Sequence, residues 1–336
     1  MVDTALICAG VIAFAVFLYV LLDGFDLGVG ILFLLAPGEQ ARDVMMASIA
    51  PVWDGNETWL VLGGVVLFAG FPLAYATLLP TFYIPIMMLL FALVFRGVAF
   101  EFRAKAERGR RFWDIAFAAG SLVAALAQGF LLGAYVQGVA LEDGEFAGSA
   151  LDWRTPFSVM TAVALVAGYA LLGATWLVLK TERGLQEWSR VVARPLARAV
   201  LIFLATVSVM TPALDPTIAE RWFGGGNLVW LWPIPLASVV VGYALWRSLF
   251  EPYERAPFLL TIGVFMLGYL GLAVSLWPNI IPPSVSIWEA AAPPSSQAFL
   301  LAAVALTMPA VLAYTWLAYR VFRGKVHHAE GYSGHD

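Results

Sequence analysis

The stretch "LLDGFDLGVGIL", residues 21–32, places two aspartates and three glycines inside a run of large apolar side chains. Asp23 and Asp26 are three residues apart, so they share one face of an α-helix. A charged side chain at the middle of a bilayer costs about 2.5–3.5 kcal/mol on insertion scales. The stretch therefore predicts a membrane helix whose two acids face a protein neighbour instead of lipid.

The glycines of this stretch predict close helix packing beside the acids. Gly24 and Gly28 form a GxxxG pair, and Gly30 extends the surface without side chains. Small residues at this spacing let a second helix approach closely. Counted from Ala5 at about 1.5 Å per residue, Asp23 lies about 27 Å along the helix, near one membrane boundary. The acids are then either interfacial carboxylates at a helix end or a buried pair that handles protons or orders a polar network.

Composition extends this prediction to the whole chain. The 336 residues are 61% hydrophobic and 12% charged, whereas soluble domains are about 45–50% apolar and about 25% charged. Only helices and closed barrels satisfy the backbone in lipid, and these apolar runs are too long for barrel strands. We predict an all-α membrane protein with one transmembrane domain over residues 1–325 and a polar tail over residues 326–336.

Nine apolar segments are predicted to be transmembrane helices. They cover residues 5–35, 57–79, 81–102, 113–138, 157–179, 197–214, 228–249, 257–277 and 297–322. The short "LLPT" near Pro80 predicts that the second and third segments form a tight helical hairpin. With the N-terminus outside and the C-terminus cytoplasmic, 16 of the 19 lysines and arginines lie in cytoplasmic loops and the tail, as the positive-inside rule requires.

A second polar cluster opens the second segment. In "SIAPVWDGNETWLVLGG", residues 48–64, Asp54, Asn56 and Glu57 lie between Trp53 and Trp59. A structural interpretation makes Asp54 a helix cap and the tryptophans part of the interfacial belt. A functional interpretation adds these two acids to the two of the first segment. Four carboxylates near the inner leaflet and within reach of one another would share protons.

Arg96, in "FRGVAFEFRAK" (residues 95–105), is the one strong base that lies away from the ends of a predicted span. An unpaired cation in the membrane is costly, so a carboxylate or an anionic cofactor group is its expected partner. The candidates are Glu57, Glu101 or a carboxylate of a neighbouring subunit. The alternative is an arginine that snorkels to the interface.

No predicted span contains a histidine, and only one cysteine is present in the sequence. His327, His328 and His335 all lie in the tail, and Cys8 is the single cysteine. Haem ligation by histidine within the bilayer and an iron–sulfur cluster are therefore not expected, and no metal site is predicted. The chemistry indicates a membrane partner that supplies acids and packing surface rather than a redox centre.

The motifs are similar to those of a known family. "DGFDLGVG" and "SIAPVWDGNETWLV" resemble subunit II of the cytochrome bd family of quinol oxidases, and so do "FRGVAFEFR" and the late "SIWEAAAPPSSQ". The resemblance covers nearly the whole chain, and the first two motifs are specific. The short overall length resembles the cyanide-insensitive branch.

The resemblance implies a haem-free subunit of an oxidase in the bacterial inner membrane, which oxidises quinol and reduces oxygen to water. Haems b and haem d would belong to the partner, subunit I. The implied fold is two four-helix bundles plus one peripheral helix, paired pseudosymmetrically with subunit I. Further implied partners are membrane lipid, a structural quinone and small single-helix accessory subunits; no nucleic acid is expected.

The family's acids at this face are associated with proton delivery toward the haems. Carried over to this sequence, these positions are Asp23, Asp26 and Asp54, with Glu57 and Arg96 nearby; Glu57 joins them as a candidate for a proton relay or polar network. Trp53 and Arg96 would lie near the haems of the partner or a quinone.

The late motif departs from the family pattern, and two other functions are compatible with the acids and glycines. Glu289 and the Pro293–Pro294 pair alter the late motif, so no role is carried over to residues 295–297. A proton-coupled secondary transporter would also explain acids and glycines, but its site should lie near the bilayer midplane between two broken helices. A structural anchor whose acids only stabilise an interface is the third interpretation.

Overall fold

The computed structural model describes residues 3–106, 108–142 and 145–326, and these residues are mostly helical. The helices are α1 (Thr4–Leu32), α2 (Glu39–Ile49), α3 (Trp53–Gly70), α4 (Pro72–Thr81), α5 (Tyr83–Lys105), α6 (Arg110–Gln137), α7 (Pro156–Lys180), α8 (Arg183–Leu214), α9 (Pro216–Phe223), α10 (Leu228–Leu231), α11 (Pro233–Ser248), α12 (Ala256–Leu276) and α13 (Pro294–Val321). Two short antiparallel pairs, β1 (Leu141–Glu142) with β2 (Glu145–Phe146) and β3 (Asn279–Ile281) with β4 (Val285–Ser286), lie in connections.

The all-α prediction is confirmed, and eight helical stretches in the described residues are long and apolar enough to cross a membrane. They are 4–35, 83–105, 110–137, 156–180, 183–214, 228–248, 256–276 and 294–321. The remaining predicted segment, residues 57–79, corresponds to α3 and α4. The tail histidines and residues 327–336 as a whole lie outside the described residues.

The tight hairpin predicted around Pro80 is wrong. A boundary between two helices does occur there, because α4 ends at Thr81 and α5 begins at Tyr83. The second segment, however, is already broken at Phe71, which leaves the helical conformation just before Pro72. A residue before proline is pushed out of the helical region, so this break has a local cause. As a result α3 packs against α1 and α13, whereas α5 packs against α6.

Helix α7 is the centre of the packing. It lies against α1, α6, α8 and α12, while α11 packs against α12. The contact between α1 and α7 is the closest, because an added methyl group at Gly28 would lie 1.8 Å from the Tyr169 carbonyl oxygen. Gly24 faces the Tyr169 ring, and a methyl group at Gly30 would lie 2.0 Å from Ser121 Oγ of α6. The three glycines thus lie where α1 touches α7 and α6.

The connection between α12 and α13 covers the ends of α1 and α3 opposite to the acids. The Ala292 amide donates to the Gly70 carbonyl at 2.9 Å, and Trp288 Nε1 donates to Asp3 Oδ2 at 2.8 Å. Hydrogen bonds from the Leu6 amide and from Trp288 lower the pKa of Asp3. The buried Gln297 bonds to Thr4 and to the Gly70 carbonyl. The α12–α13 connection is therefore hydrogen-bonded across the ends of both α1 and α3.

We expect Gly28→Ala to destabilise the protein strongly, because the new methyl group must displace the α7 backbone. Overpacking of this kind costs about 1–3 kcal/mol or more. Gly64→Ala is the matched control, since nothing lies within 4 Å of a methyl group at that α3 position. Thermal unfolding of both purified variants checks this, and equal midpoints would contradict the close approach.

Candidate functional site

A buried ion pair joins α1 to α5. Arg96 Nη1 lies 2.6 Å from Asp23 Oδ1 and 3.5 Å from Glu57 Oε1 of α3. The Asp23 and Arg96 side chains are 0% and 1% exposed, whereas that of Glu57 is 27% exposed. One guanidinium group therefore connects carboxylates of two other helices. Glu57 was among the expected partners of Arg96, but Asp23 is the nearer one, and Glu101 is exposed on α5.

The second acid of α1 is held by an amide. Asn56 Nδ2 donates to Asp26 Oδ2 at 2.7 Å and to the Leu22 carbonyl at 3.2 Å. The Tyr319 hydroxyl of α13 donates to Asn56 Oδ1 at 3.0 Å. Asp26 and Asn56 are both fully buried. These bonds link α1, α3 and α13 at the same end of the molecule as the ion pair.

A chain of neutral polar groups begins one helical turn from Asp23. Gln128 Nε2 of α6 donates to the Tyr19 hydroxyl at 3.0 Å, and the Tyr169 hydroxyl of α7 donates to Gln128 Oε1 at 2.6 Å. All three side chains are buried. Sequence analysis missed them, because single uncharged polar residues on three different helices share no sequence motif. The only signal was Gln128, an amide in an otherwise apolar stretch.

Several atoms of the charged network have no hydrogen-bond partner among the described residues. They include Asp23 Oδ2, Asp26 Oδ1, Arg96 Nη2 and Glu57 Oε1. Buried polar groups are usually paired, and exceptions concentrate at functional sites. The carboxylates and the guanidinium group therefore have hydrogen-bonding capacity that the described residues do not use.

Asp54 and Trp53 lie at the surface of this cluster. Asp54 is exposed in the first turn of α3, so it is not part of the buried network. Trp53 is half-buried, and its ring lies 5.8 Å from the Arg96 guanidinium carbon and 5.2 Å from the Phe100 ring. The structure thus brings Asp23 and Glu57 to Arg96, places Asp26 beside them through Asn56, and leaves Asp54 outside.

A second charged cluster, which sequence analysis did not find, holds α2 against α5 and α6. Arg103 Nε lies 2.5 Å from Asp114 Oδ1, and Arg103 Nη1 lies 2.8 Å from Asp43 Oδ1. Arg42 Nε lies 3.2 Å from Asp114 Oδ2. Arg103 is 3% exposed, and its guanidinium carbon lies 5.1 Å from the Phe33 ring centre. Because α2 leads into α3, this cluster fixes the approach to Trp53.

In the described part of the chain, no three histidine, cysteine, aspartate or glutamate side chains are grouped to hold a metal ion. The donor set of the site is instead carboxylate, amide, phenol and guanidinium. Such groups accept, donate and pass protons or stabilise charge.

Comparisons with known proteins place the chain among respiratory oxidase subunits. A family model described as cytochrome bd terminal oxidase subunit II matches residues 4–322. A probable cytochrome oxidase subunit 2 of Haemophilus influenzae is 30% identical over 342 residues, covering 90% of each chain. The cytochrome bd-I ubiquinol oxidase subunit 2 of Escherichia coli is 29% identical over 348 residues, covering 89% of each.

A Bacillus subtilis cytochrome bd ubiquinol oxidase subunit 2 is 28% identical over 328 residues, covering 92% of this chain and 93% of the relative. The fold is similar to a chain of the bd oxidase structure from Geobacillus thermodenitrificans, with a TM-score of 0.78 at 16% identity. That likeness covers 96% of this chain and 99% of the other.

We expect Asp23→Asn and Arg96→Gln each to lower the free energy of unfolding by about 3–5 kcal/mol, because the first removes the nearer counter-charge of the buried Arg96 and the second leaves the buried Asp23 carboxylate unpaired. The double variant should lose less than the sum, since both charges are gone. Arg247→Gln, which removes an exposed pair with Glu251, is the control and should cause no measurable loss. Thermal unfolding of the purified protein measures all four. Strict additivity would rule out the pair.

Proposed function

The chain belongs to the cytochrome bd terminal oxidase subunit II family, and we propose that it acts as the haem-free second subunit of a quinol:oxygen oxidoreductase. The observation that carries this conclusion is the family match over residues 4–322, supported by ubiquinol oxidase relatives that match along nearly their whole length. The protein is a multi-pass protein of the bacterial inner membrane. A proton-coupled transporter, the alternative from sequence, is not favoured, because the whole chain matches an oxidase subunit.

The haems b and haem d of the complex belong to subunit I in this proposal. They supply electron transfer from quinol and the reduction of oxygen when bound there. The present chain has its histidines only at positions 327, 328 and 335, and its buried polar groups are of the kind that handle protons. Its contribution is therefore to protons, to charge and to the packing surface for subunit I.

Proton delivery is the role proposed for the acids. Asp54 is exposed, Glu57 is partly exposed, and Asp23 and Asp26 are buried. The four carboxylates, two on α1 and two on α3, thus range from exposed to fully buried at one end of the molecule. Asp23 and Glu57 pair with the single guanidinium of Arg96, and Asp26 lies beside them through Asn56. One cation against three carboxylates leaves two negative charges uncompensated, and burying such charges is costly. Shared protons relieve that cost and are available for relay.

Trp53 and Arg96 are proposed to lie beside the haems of subunit I or a quinone. Arg96 is buried behind Trp53, which keeps part of its ring exposed. Trp53 is thus the residue of this pair that can touch a group on a neighbouring subunit, while Arg96 stabilises negative charge from behind. A structural quinone and small single-helix accessory subunits stay part of the proposal.

We also propose nine membrane crossings with the N-terminus outside and the C-terminus in the cytoplasm. The eighteen-residue α3 is the crossing that adds to the eight candidate spans, because at about 1.5 Å per residue it is about 27 Å long. Helices α1, α3, α5 and α6 would form one four-helix bundle and α7, α8, α11 and α12 the other, with α13 as the peripheral helix on α3.

Purification through a tag on this chain tests the assignment. We expect a complex that contains a second large subunit and shows the absorption bands of b-type haem and of the chlorin-type haem d. The same chain expressed without subunit I should be colourless. A colourless chain that is recovered alone from its native membrane would contradict the oxidase assignment.

Asp54→Asn tests the proton relay. We expect the complex to assemble with unchanged haem spectra while oxygen consumption falls about 100-fold or more, the usual range for loss of a proton-transfer group. Glu101→Gln, which removes an exposed carboxylate of α5 without a described partner, should keep full turnover. Wild-type turnover of an intact Asp54→Asn complex would exclude the relay role but leave the family assignment in place.

A further inference from the structure

An apolar cleft lies between the α9–α10 segment and α12, on the opposite end of the molecule from the acids. Its volume is about 460 Å³. The lining residues are Arg221, Asn227, Trp230, Leu231, Leu270, Ala273, Val274 and Trp277. Arg221 is the one formally charged residue among them. The proposed proton relay uses none of these residues.

The cleft lies at a membrane boundary. Its α12 wall consists of the last two turns of that helix and of Trp277, the first residue after it. Trp230, Trp232 and Trp277 are 83%, 49% and 45% exposed at this end. Exposed tryptophans concentrate at the level of lipid headgroups. The cleft therefore opens where a phospholipid has its headgroup and the start of its acyl chains.

Arg221 is a cation without a protein counter-charge. Among the described residues it makes no salt bridge within 4.0 Å, and its Nη1 atom is buried without a hydrogen-bond partner. Asp215 lines a neighbouring cleft that Arg221 also lines, but its carboxylate accepts from the Thr217 amide at 2.7 Å and caps α9. A half-buried, unpaired guanidinium group beside an apolar wall favours an anionic ligand with an apolar tail.

The position of Arg221 is fixed before any ligand binds. Trp222 Nε1 donates to Ser275 Oγ at 2.9 Å, which ties α9 to α12. Asn227 Nδ2 donates to the Arg221 carbonyl at 3.1 Å. These bonds hold the arginine at the end of the cleft, and a site that is already ordered binds at lower entropic cost.

We propose that this cleft binds a membrane phospholipid, with the phosphodiester at Arg221 and an acyl chain along Leu270 and Val274. A free phosphate ion would gain the same charge contact, but most of the cleft wall is apolar and offers it no further polar partner. A lipid without phosphate would fill the apolar wall and leave the guanidinium group unpaired. Only a molecule with both parts matches the whole cleft.

The test is native mass spectrometry of the intact oxidase complex. Arg221→Gln should reduce retained phospholipid by one molecule per complex. Arg154→Gln, which removes an exposed arginine stacked on Trp153, is the matched control and should retain the wild-type number. Thermal unfolding of both variants in detergent should match the wild type, because Arg221 makes no side-chain hydrogen bond to the described protein that the substitution would break.

Add-back to the delipidated complex identifies the chemistry. We expect phosphatidylglycerol to bind wild-type complex about 10-fold more tightly than the Arg221→Gln complex, as loss of a charge-assisted hydrogen bond predicts. Diacylglycerol with the same chains and inorganic phosphate should show no preference for wild type. The proposal would be overturned if Arg221→Gln retained as much lipid as Arg154→Gln. It would also be overturned if diacylglycerol bound in the same arginine-dependent way, or if the molecule lost on Arg221→Gln were a quinone.

Discussion

The ion pair between Asp23 and Arg96 is the constraint on which the charged end of this protein depends. Each group is buried in a helix that is otherwise apolar, so either charge would be costly to bury without the other. The pair joins α1 to α5, and Glu57 extends it to α3. These three helices therefore have to pack at the same depth, each rotated about its axis so that its charged side chain faces the other two. The Asp26–Asn56–Tyr319 bonds then fix the place of α13 on the same α1 face.

The close packing of α1 beside this pair makes the burial effective. Gly28 lets the α7 backbone approach so closely that no side chain fits between the two helices. Gly30 does the same for Ser121 of α6. The acids thus lie next to a contact that excludes lipid and water, and their interactions are strengthened by the low local dielectric. The glycines that pack against α6 and α7 and the acids of the polar network therefore lie side by side on α1.

The two ends of the molecule use polar groups differently. At the end with the acids, charges are buried in a connected network, and the exposed carboxylate of Asp54 lies outside it. At the other end, hydrogen bonds to the Gly70 carbonyl from the Ala292 amide and the Gln297 side chain hold the α12–α13 connection against the end of α3. There Arg221 makes no salt bridge with the residues that the structure describes and lies beside an apolar cleft.

The sequence by itself determined that the chain is an all-helical membrane protein and, through two specific motifs, which family it resembles. It also marked Asp23, Asp26, Glu57 and Arg96, because a charge in a long apolar run is costly wherever the helix packs. Only the tertiary structure decided that Asp23 is the nearer partner of Arg96 and that Asp54 lies outside the network. Only the structure revealed the Tyr19–Gln128–Tyr169 chain and the Arg103–Asp114 cluster. The reason is physical: hydrophobicity and its period act along one helix, whereas the choice of partner depends on the rotation and depth at which separate helices pack.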